Sequence, residues 1–423
     1  MPAIRQLGLV SAAALVVANM IGIGVFTTSG LLLEDLKSPW IVLLAWAVGG
    51  LIALLGAVSY GALARAIPES GGEYLYLSRT VHPAAGFVAG WVSLLAGFSA
   101  PLALAAFGFG EYCKDWLPQI SVRMTGTLLL VVFSIAHATN VRRGAAIQNV
   151  AVAIKLIAIT ALVTVGLAHL PDIAIPLSNP AEESHSFSFG AFAVSLVWIS
   201  FSYAGWNAAT YVAGEVVDPE RNLPRSLLLA TLTVTIAYLG VNAVFVFSGP
   251  ASELAGKLDV GRIAAGLLGG PAWQEATTAL VTLALATSAS AMIMAGPRVY
   301  ARMASDGHLP KWLAHEDGPP RHAIALQLAL ALAFLWTNSY EALLTYIGFT
   351  LGLSNAATVI GLLLLNRKEP ASVKIPGGLG IPILFLAFAV FAIGFTIWRK
   401  PAECGVGFLT IAIGFIGWRL SRK

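Results

Sequence analysis

The stretch Leu15-Val16-Val17-Ala18-Asn19-Met20-Ile21-Gly22-Ile23-Gly24-Val25-Phe26-Thr27-Thr28-Ser29-Gly30 is apolar enough to sit in a membrane, yet it carries glycine where an unbroken helix favours alanine or leucine. A second stretch of the same kind is Trp198-Ile199-Ser200-Phe201-Ser202-Tyr203-Ala204-Gly205-Trp206-Asn207. A helix opened at mid-bilayer frees peptide N–H and C=O groups. Facing lipid, each costs several kcal/mol, so they must face protein, water or a ligand. Two such openings, one near the start and one near the middle of a chain, point to a transporter binding site.

Composition agrees with a membrane reading. The 423 residues are 57% hydrophobic and 11% charged, where soluble domains carry about 25% charge. The mean hydropathy is +0.80. Arg5 before an apolar run resembles a secretory signal, but the run continues to Leu33, too long for one, without a small-residue cleavage pattern. Cys113 and Cys404 give neither a disulfide framework nor a metal motif. No His/Cys cluster has metal spacing and no phosphate loop is present, so neither an enzyme nor a cofactor is expected. The net charge of +4 reflects basic residues held on one membrane side and does not suggest nucleic acid.

Twenty-residue apolar windows place twelve spans near 7–33, 39–66, 84–112, 122–138, 144–170, 189–217, 227–248, 273–304, 322–337, 340–366, 381–398 and 405–420. Their even number puts both termini on one side. With the termini inside, 17 of the 25 Lys and Arg face the cytoplasm, seven face out (Lys37, Lys114, Arg123, Lys257, Arg262, Arg399, Lys400), and Lys155 stays in the membrane. Cytoplasmic termini in the cell (inner) membrane follow from the positive-inside rule. The broken helices are spans one and six. That spacing divides the chain into two inverted repeats, 1–170 and 171–366, and a C-terminal pair of helices, 367–423. The loops Pro68-Glu69-Ser70-Gly71-Gly72-Glu73-Tyr74 and Asp218-Pro219-Glu220-Arg221-Asn222-Leu223-Pro224-Arg225 read as polar cytoplasmic connections.

At the first break, Gly22 and Gly24 free backbone amides near the start of a half-helix, which suit a carboxylate. Small residues there also serve close helix packing. At the second, with Ser202, Ala204 and Gly205 around Tyr203, unwinding exposes carbonyls that suit an ammonium. Together they form a receptor for a zwitterion, with Phe201 as its gate. Lys155, deep in Ile154-Lys155-Leu156-Ile157, costs about 2.5–3.5 kcal/mol on insertion scales unless it finds a partner. It either snorkels to the cytoplasmic surface or serves as a fixed ammonium in place of a sodium ion. In the second case it bonds the first broken helix and a hydroxyl of span eight, Thr287 or Ser288. Such an ammonium can also exchange a proton.

Ile21-Gly22-Ile23-Gly24-Val25-Phe26 resembles the glycine motif of the amino acid–polyamine–organocation superfamily. Phe201 to Asn207, followed by Glu215 and Asp218 to Arg225, resembles the sixth-helix signature of its L-type amino acid transporter branch. Pro68 to Tyr74 and Gly296 to Pro310 match as well. The resemblance implies an all-α, leucine-transporter-like five-plus-five inverted repeat with helices 1 and 6 broken, plus two C-terminal helices. It implies sodium-independent alternating access. It assigns the carboxylate to Gly22, Ile23 and Gly24, the amine to Phe201, Ser202 and Ala204, and the sodium position to Lys155. Ile23 departs from the small hydroxyl or alanine residue usual there, and Ser290 from the asparagine of many relatives.

Animal members join a heavy-chain glycoprotein through a cysteine near the position of Cys113. The short loop here favours a free thiol and no such partner. The expected function is secondary transport of neutral L-amino acids, as exchanger or facilitator. The alternatives are a proton-coupled symporter of amino acids or amines and a non-transporting sensor on the same scaffold.

Overall fold

A computed structural model of the chain describes residues 7–139, 144–170, 187–314, 319–371 and 373–421. Arg5, Arg142, Arg143, Arg422, Lys423 and most of the outer loop between spans five and six lie outside them. Every regular element among the described residues is helical. α1 (Leu9–Met20) and α2 (Gly24–Leu36) are two pieces of span one, bent by 44° at their junction. α3 (Pro39–Ala66) is span two, and α4 (Gly72–Thr80) lies in the connection after it. α5 (Pro83–Val92), a π-helical segment at Ser93–Ser99 and α6 (Ala100–Cys113) together form span three. α7 (Val122–Thr139) and α8 (Gly144–His169) complete the first set of five.

α9 (Phe189–Ser202) and the 3-10 segment Ala208–Glu215 make span six. α10 (Pro219–Phe247), the short α11 (Ala251–Leu254), α12 (Val260–Ser305), α13 (Arg321–Thr337) and α14 (Tyr340–Lys368) follow. α15 (Gly380–Arg399) and α16 (Pro401–Ser421) end the chain. By length and composition nine of these qualify as spans when the bent pair counts once. Three shorter apolar helices, Ala153–His169, Phe189–Ser202 and Arg321–Thr337, bring the described architecture into accord with twelve.

Two expected loops are partly helical. Residues 219–225 are the first turns of α10, entered through Pro219, whose fixed φ and missing N–H suit the first helical position. Gly72 to Tyr74 open α4. Span eight is longer than expected because α12 begins at Val260 and is interrupted at Gly270, where φ is 73°.

Burial sorts the helices into a core and a lipid-facing shell. In α7, Met124, Leu128, Val132 and Ile135 form an exposed stripe at helical spacing, while Thr125, Gly126, Leu129, Leu130 and Ser134 face inward. α6 has its whole run from Ala100 to Ala106 buried. Small residues let core helices touch: a Cβ on Gly110 would lie 2.2 Å from the Val122 carbonyl oxygen, so α6 and the start of α7 meet backbone to backbone. α2 of the first broken span packs directly against α9 of the second.

Candidate functional site

The candidate site is the crossing of spans one and six. α1 ends at Met20 and α2 begins at Gly24, so Ile21, Gly22 and Ile23 form the first break. α9 ends at Ser202, and residues 203–207 turn before the 3-10 segment. Gly205 sits at φ 101°, a conformation that L side chains rarely adopt, and its missing Cβ is also what lets it rest on the Asn19 backbone. At the other end of the crossing a Cβ on Gly24 would fall 2.2 Å from Ser202 Oγ and 2.8 Å from its Cα. Gly22 has room: a Cβ there would meet only the Met20 carbonyl oxygen, at 3.9 Å. The two glycines therefore differ: Gly24 permits the helix contact, while Gly22 stands in open backbone.

Tyr238 of α10 ties the two breaks together. Its hydroxyl lies 2.7 Å from the Met20 carbonyl oxygen and 3.1 Å from that of Ser202, the last residues of the two interrupted helices. On the opposite flank Lys155 is 3% exposed. Its ammonium donates to the Ile21 carbonyl at 3.1 Å and to Ser288 Oγ at 2.9 Å. Hydrogen bonds to a charged group are worth about 1.5–3 kcal/mol each, so two are of the size needed to offset the insertion cost of a mid-span lysine. Snorkelling is not what the side chain does. Thr287 is not part of this contact; its hydroxyl donates to Leu283 and Ala284 of its own helix. Ser290 pairs with His137 at 2.8 Å.

Phe201 lines a cavity of about 70 Å³ behind the second break, between α3, α9, α14 and α15. Tyr203, Trp206 and Phe385 share that lining. Ser202 turns the other way and lies 3.4 Å from Thr28 Oγ1. Cys113 and Cys404 are both buried and free.

Above and below the crossing are polar ties that sequence reasoning missed. On one side, Gly256 N donates to the Gly30 carbonyl at 2.8 Å, seating the α11 turn on α2. Beside it Asp259 takes Lys114 at 3.1 Å and Arg262 at 2.6 Å, and Arg262 also holds Asp115. Burial alone would raise the Asp259 carboxyl, but Lys114 and Arg262 outweigh it and hold it below the ordinary 3.8. Burial would lower Lys114, but Asp259 and Glu111 outweigh it and hold the ammonium above 10.5. On the other side the buried Glu73 carboxylate accepts from Tyr60, Asn207 and Tyr211, joining α4, α3 and the second half of span six. Asn242 within apolar α10 was the one legible signal, since a polar side chain inside a span needs a partner. It bonds Ser29, which Trp46 also contacts.

A sequence profile described as amino acid permease matches residues 7–418. The chain belongs to the amino acid permease family. Among curated proteins this permease is 29% identical to the human large neutral amino acids transporter small subunit 2, over 97% of this chain and 79% of that protein. It is 29% identical to the mouse Asc-type amino acid transporter 1, over 99% and 82%. It is 26% identical to the human b(0,+)-type amino acid transporter 1, over 94% and 83%. The family and the apolar helices together make this permease a multi-pass membrane protein.

Proposed function

We propose that this permease carries neutral L-amino acids across the cell membrane by alternating access, without sodium, as an exchanger or facilitator. The observation that carries the reading is the Lys155 ammonium against Ile21 and Ser288, beside a crossing of two interrupted helices. A fixed positive charge there substitutes for a cation that would otherwise hold the first break. Amides at Gly22, Ile23 and Gly24 receive the carboxylate, because a helix start attracts anions. Carbonyls at Phe201, Ser202 and Ala204 receive the ammonium, and Phe201 closes over the substrate. The side chains at the crossing, Ile23, Thr28, Phe201, Ser202 and Tyr238, are uncharged, which favours neutral substrates. The names of the relatives, large neutral, Asc-type and b(0,+)-type amino acid transporters, support amino acids as the class. Residues 1–170 and 171–366 act as two inverted repeats, with both termini in the cytoplasm.

Proton-coupled symport is the second reading, favoured by the neutral partners of Lys155, which leave its proton free to exchange. Proteoliposomes loaded with or without internal amino acid separate the two. Exchange or facilitation gives sodium-independent uptake of labelled amino acid, with no accumulation driven by a proton gradient alone. Accumulation in empty vesicles under an inward proton gradient establishes symport instead. No uptake of any amino acid under either condition refutes both.

A further inference from the structure

We infer that Ile23 limits the size of the substrate side chain, so that this permease carries small neutral amino acids of the glycine, alanine and serine kind far better than large ones. The inference rests on the amino-acid reading above and adds the substrate class.

Besides the cavity behind Phe201, a zwitterion held between the two breaks has two directions in which to project its side chain. The direction toward α3 and α10 is filled. Tyr238 bridges the Met20 and Ser202 carbonyls there. The Tyr203 ring lies 5.1 Å from Tyr238 and 5.9 Å from Trp46, centroid to centroid, and its hydroxyl meets the Trp46 carbonyl at 3.3 Å. A Cβ on Gly50 would lie 2.4 Å from Thr235 and 2.9 Å from the Tyr203 hydroxyl. Gly50 is thus packed tightly against Thr235 and Tyr203 on that flank.

The opposite direction, toward α6 and α12, is where Ile23 points. Ile23 is 1% exposed. Its Cδ1 lies 2.1 Å, and its Cγ1 3.1 Å, from where a Cβ on Gly108 would stand. Leu285 Cδ1 is 3.6 Å from the same point. Ile23 thus extends from the carboxylate-binding break to the wall of α6 and α12, and Gly108 is the residue that lets it seat. The branched side chain is stiff at χ1 and does not fold aside cheaply. A substrate bound through the Ile23 amide has that side chain as its immediate neighbour. Each methylene a substrate must fit beyond the available space costs about 10- to 200-fold in discrimination.

Labelled glycine, alanine, leucine and phenylalanine uptake into proteoliposomes tests this. For the unmodified permease, kcat/KM for alanine exceeds that for leucine by about tenfold or more. Ile23→Ala raises the leucine-to-alanine ratio by about tenfold or more, and Ile23→Val, the milder variant, raises it less. Gly108→Ala unseats Ile23 and depresses alanine uptake. Adding Ile23→Ala to Gly108→Ala restores it, which ties the loss to this contact. Equal transport of alanine and leucine by the unmodified permease overturns the inference. So does an unchanged ratio in Ile23→Ala or Ile23→Val while alanine is still carried. Absence of uptake for every amino acid overturns the amino-acid reading itself, and the inference with it.

Discussion

The two halves of the first span are continuous in sequence and differ in how they are held. Eleven of the thirteen residues of α2 are buried, against four of twelve in α1. α2 is fixed by five neighbours: Tyr112 on the Phe26 carbonyl at 2.8 Å, Tyr340 on Thr27 at 2.5 Å, Trp46 on Ser29 at 2.9 Å, Asn242 on Ser29, and Gly256 on Gly30. α1 exposes Val10 to 80%. It is held by Tyr238 at its end and by backbone bonds of Leu7 to Glu215 and Val217 at its start. A piece with few buried contacts opens at low cost, and a piece with many defines the frame. The break therefore joins a more buried half to a less buried one, and the amides proposed to hold the substrate lie at the joint.

Removing the group that grips the joint has the largest effect. Lys155→Ala leaves the Ile21 carbonyl and Ser288 without their donor, and uptake falls to background while the protein remains folded in detergent by size-exclusion chromatography. Unaltered uptake in that variant removes Lys155 from the mechanism. Next comes the contact between the spans. Gly24→Ala places a methyl on Ser202, an overpacking that costs about 1–3 kcal/mol and lowers uptake about tenfold or more. Gly22→Ala, with open space, stays within about threefold. Equal effects of the two substitutions would contradict the geometry of the crossing.

How much of this was legible in the sequence depends on how local the cause is. Glycine in an apolar run announces both breaks, because the cost of glycine in a helix is a local property. Lys155 stands out because charge in a span is expensive wherever it points. Tyr238 could not be recognised, since a tyrosine in an apolar helix is ordinary until its hydroxyl is placed between two carbonyls. Glu73 was hidden for the opposite reason: it reads as a polar loop residue, and only the fold buries it under Tyr60, Asn207 and Tyr211. The choice between Thr287 and Ser288 required the rotation of α12, which adjacent positions in a sequence do not reveal.

The difference between the halves is also measurable without transport. Amide hydrogen exchange is faster across α1 than α2 by about tenfold or more, and equal protection would mean that the first span moves as one piece. The smallest expected effect is that of pH on the clasp of Asp259 with Lys114 and Arg262. Asp259, held below 3.8, contributes above that value and is lost as pH falls through its lowered pKa. Lys114, held above 10.5, contributes below that value and is lost as pH rises through its raised pKa. The clasp is therefore constant between about pH 5 and 9. Substituting Asp259→Asn leaves the shape of the pH profile of uptake in that range unchanged.

The central claim is that two interrupted helices hold one zwitterion, its carboxylate on the first break and its ammonium on the second. Competition against labelled alanine uptake in proteoliposomes tests it most directly, using unlabelled alanine, ethylamine, which lacks the carboxylate, and propionate, which lacks the amine. Alanine competes and neither single-charge analogue does at a hundredfold excess. Competition by ethylamine or propionate as strong as that by alanine would contradict the claim.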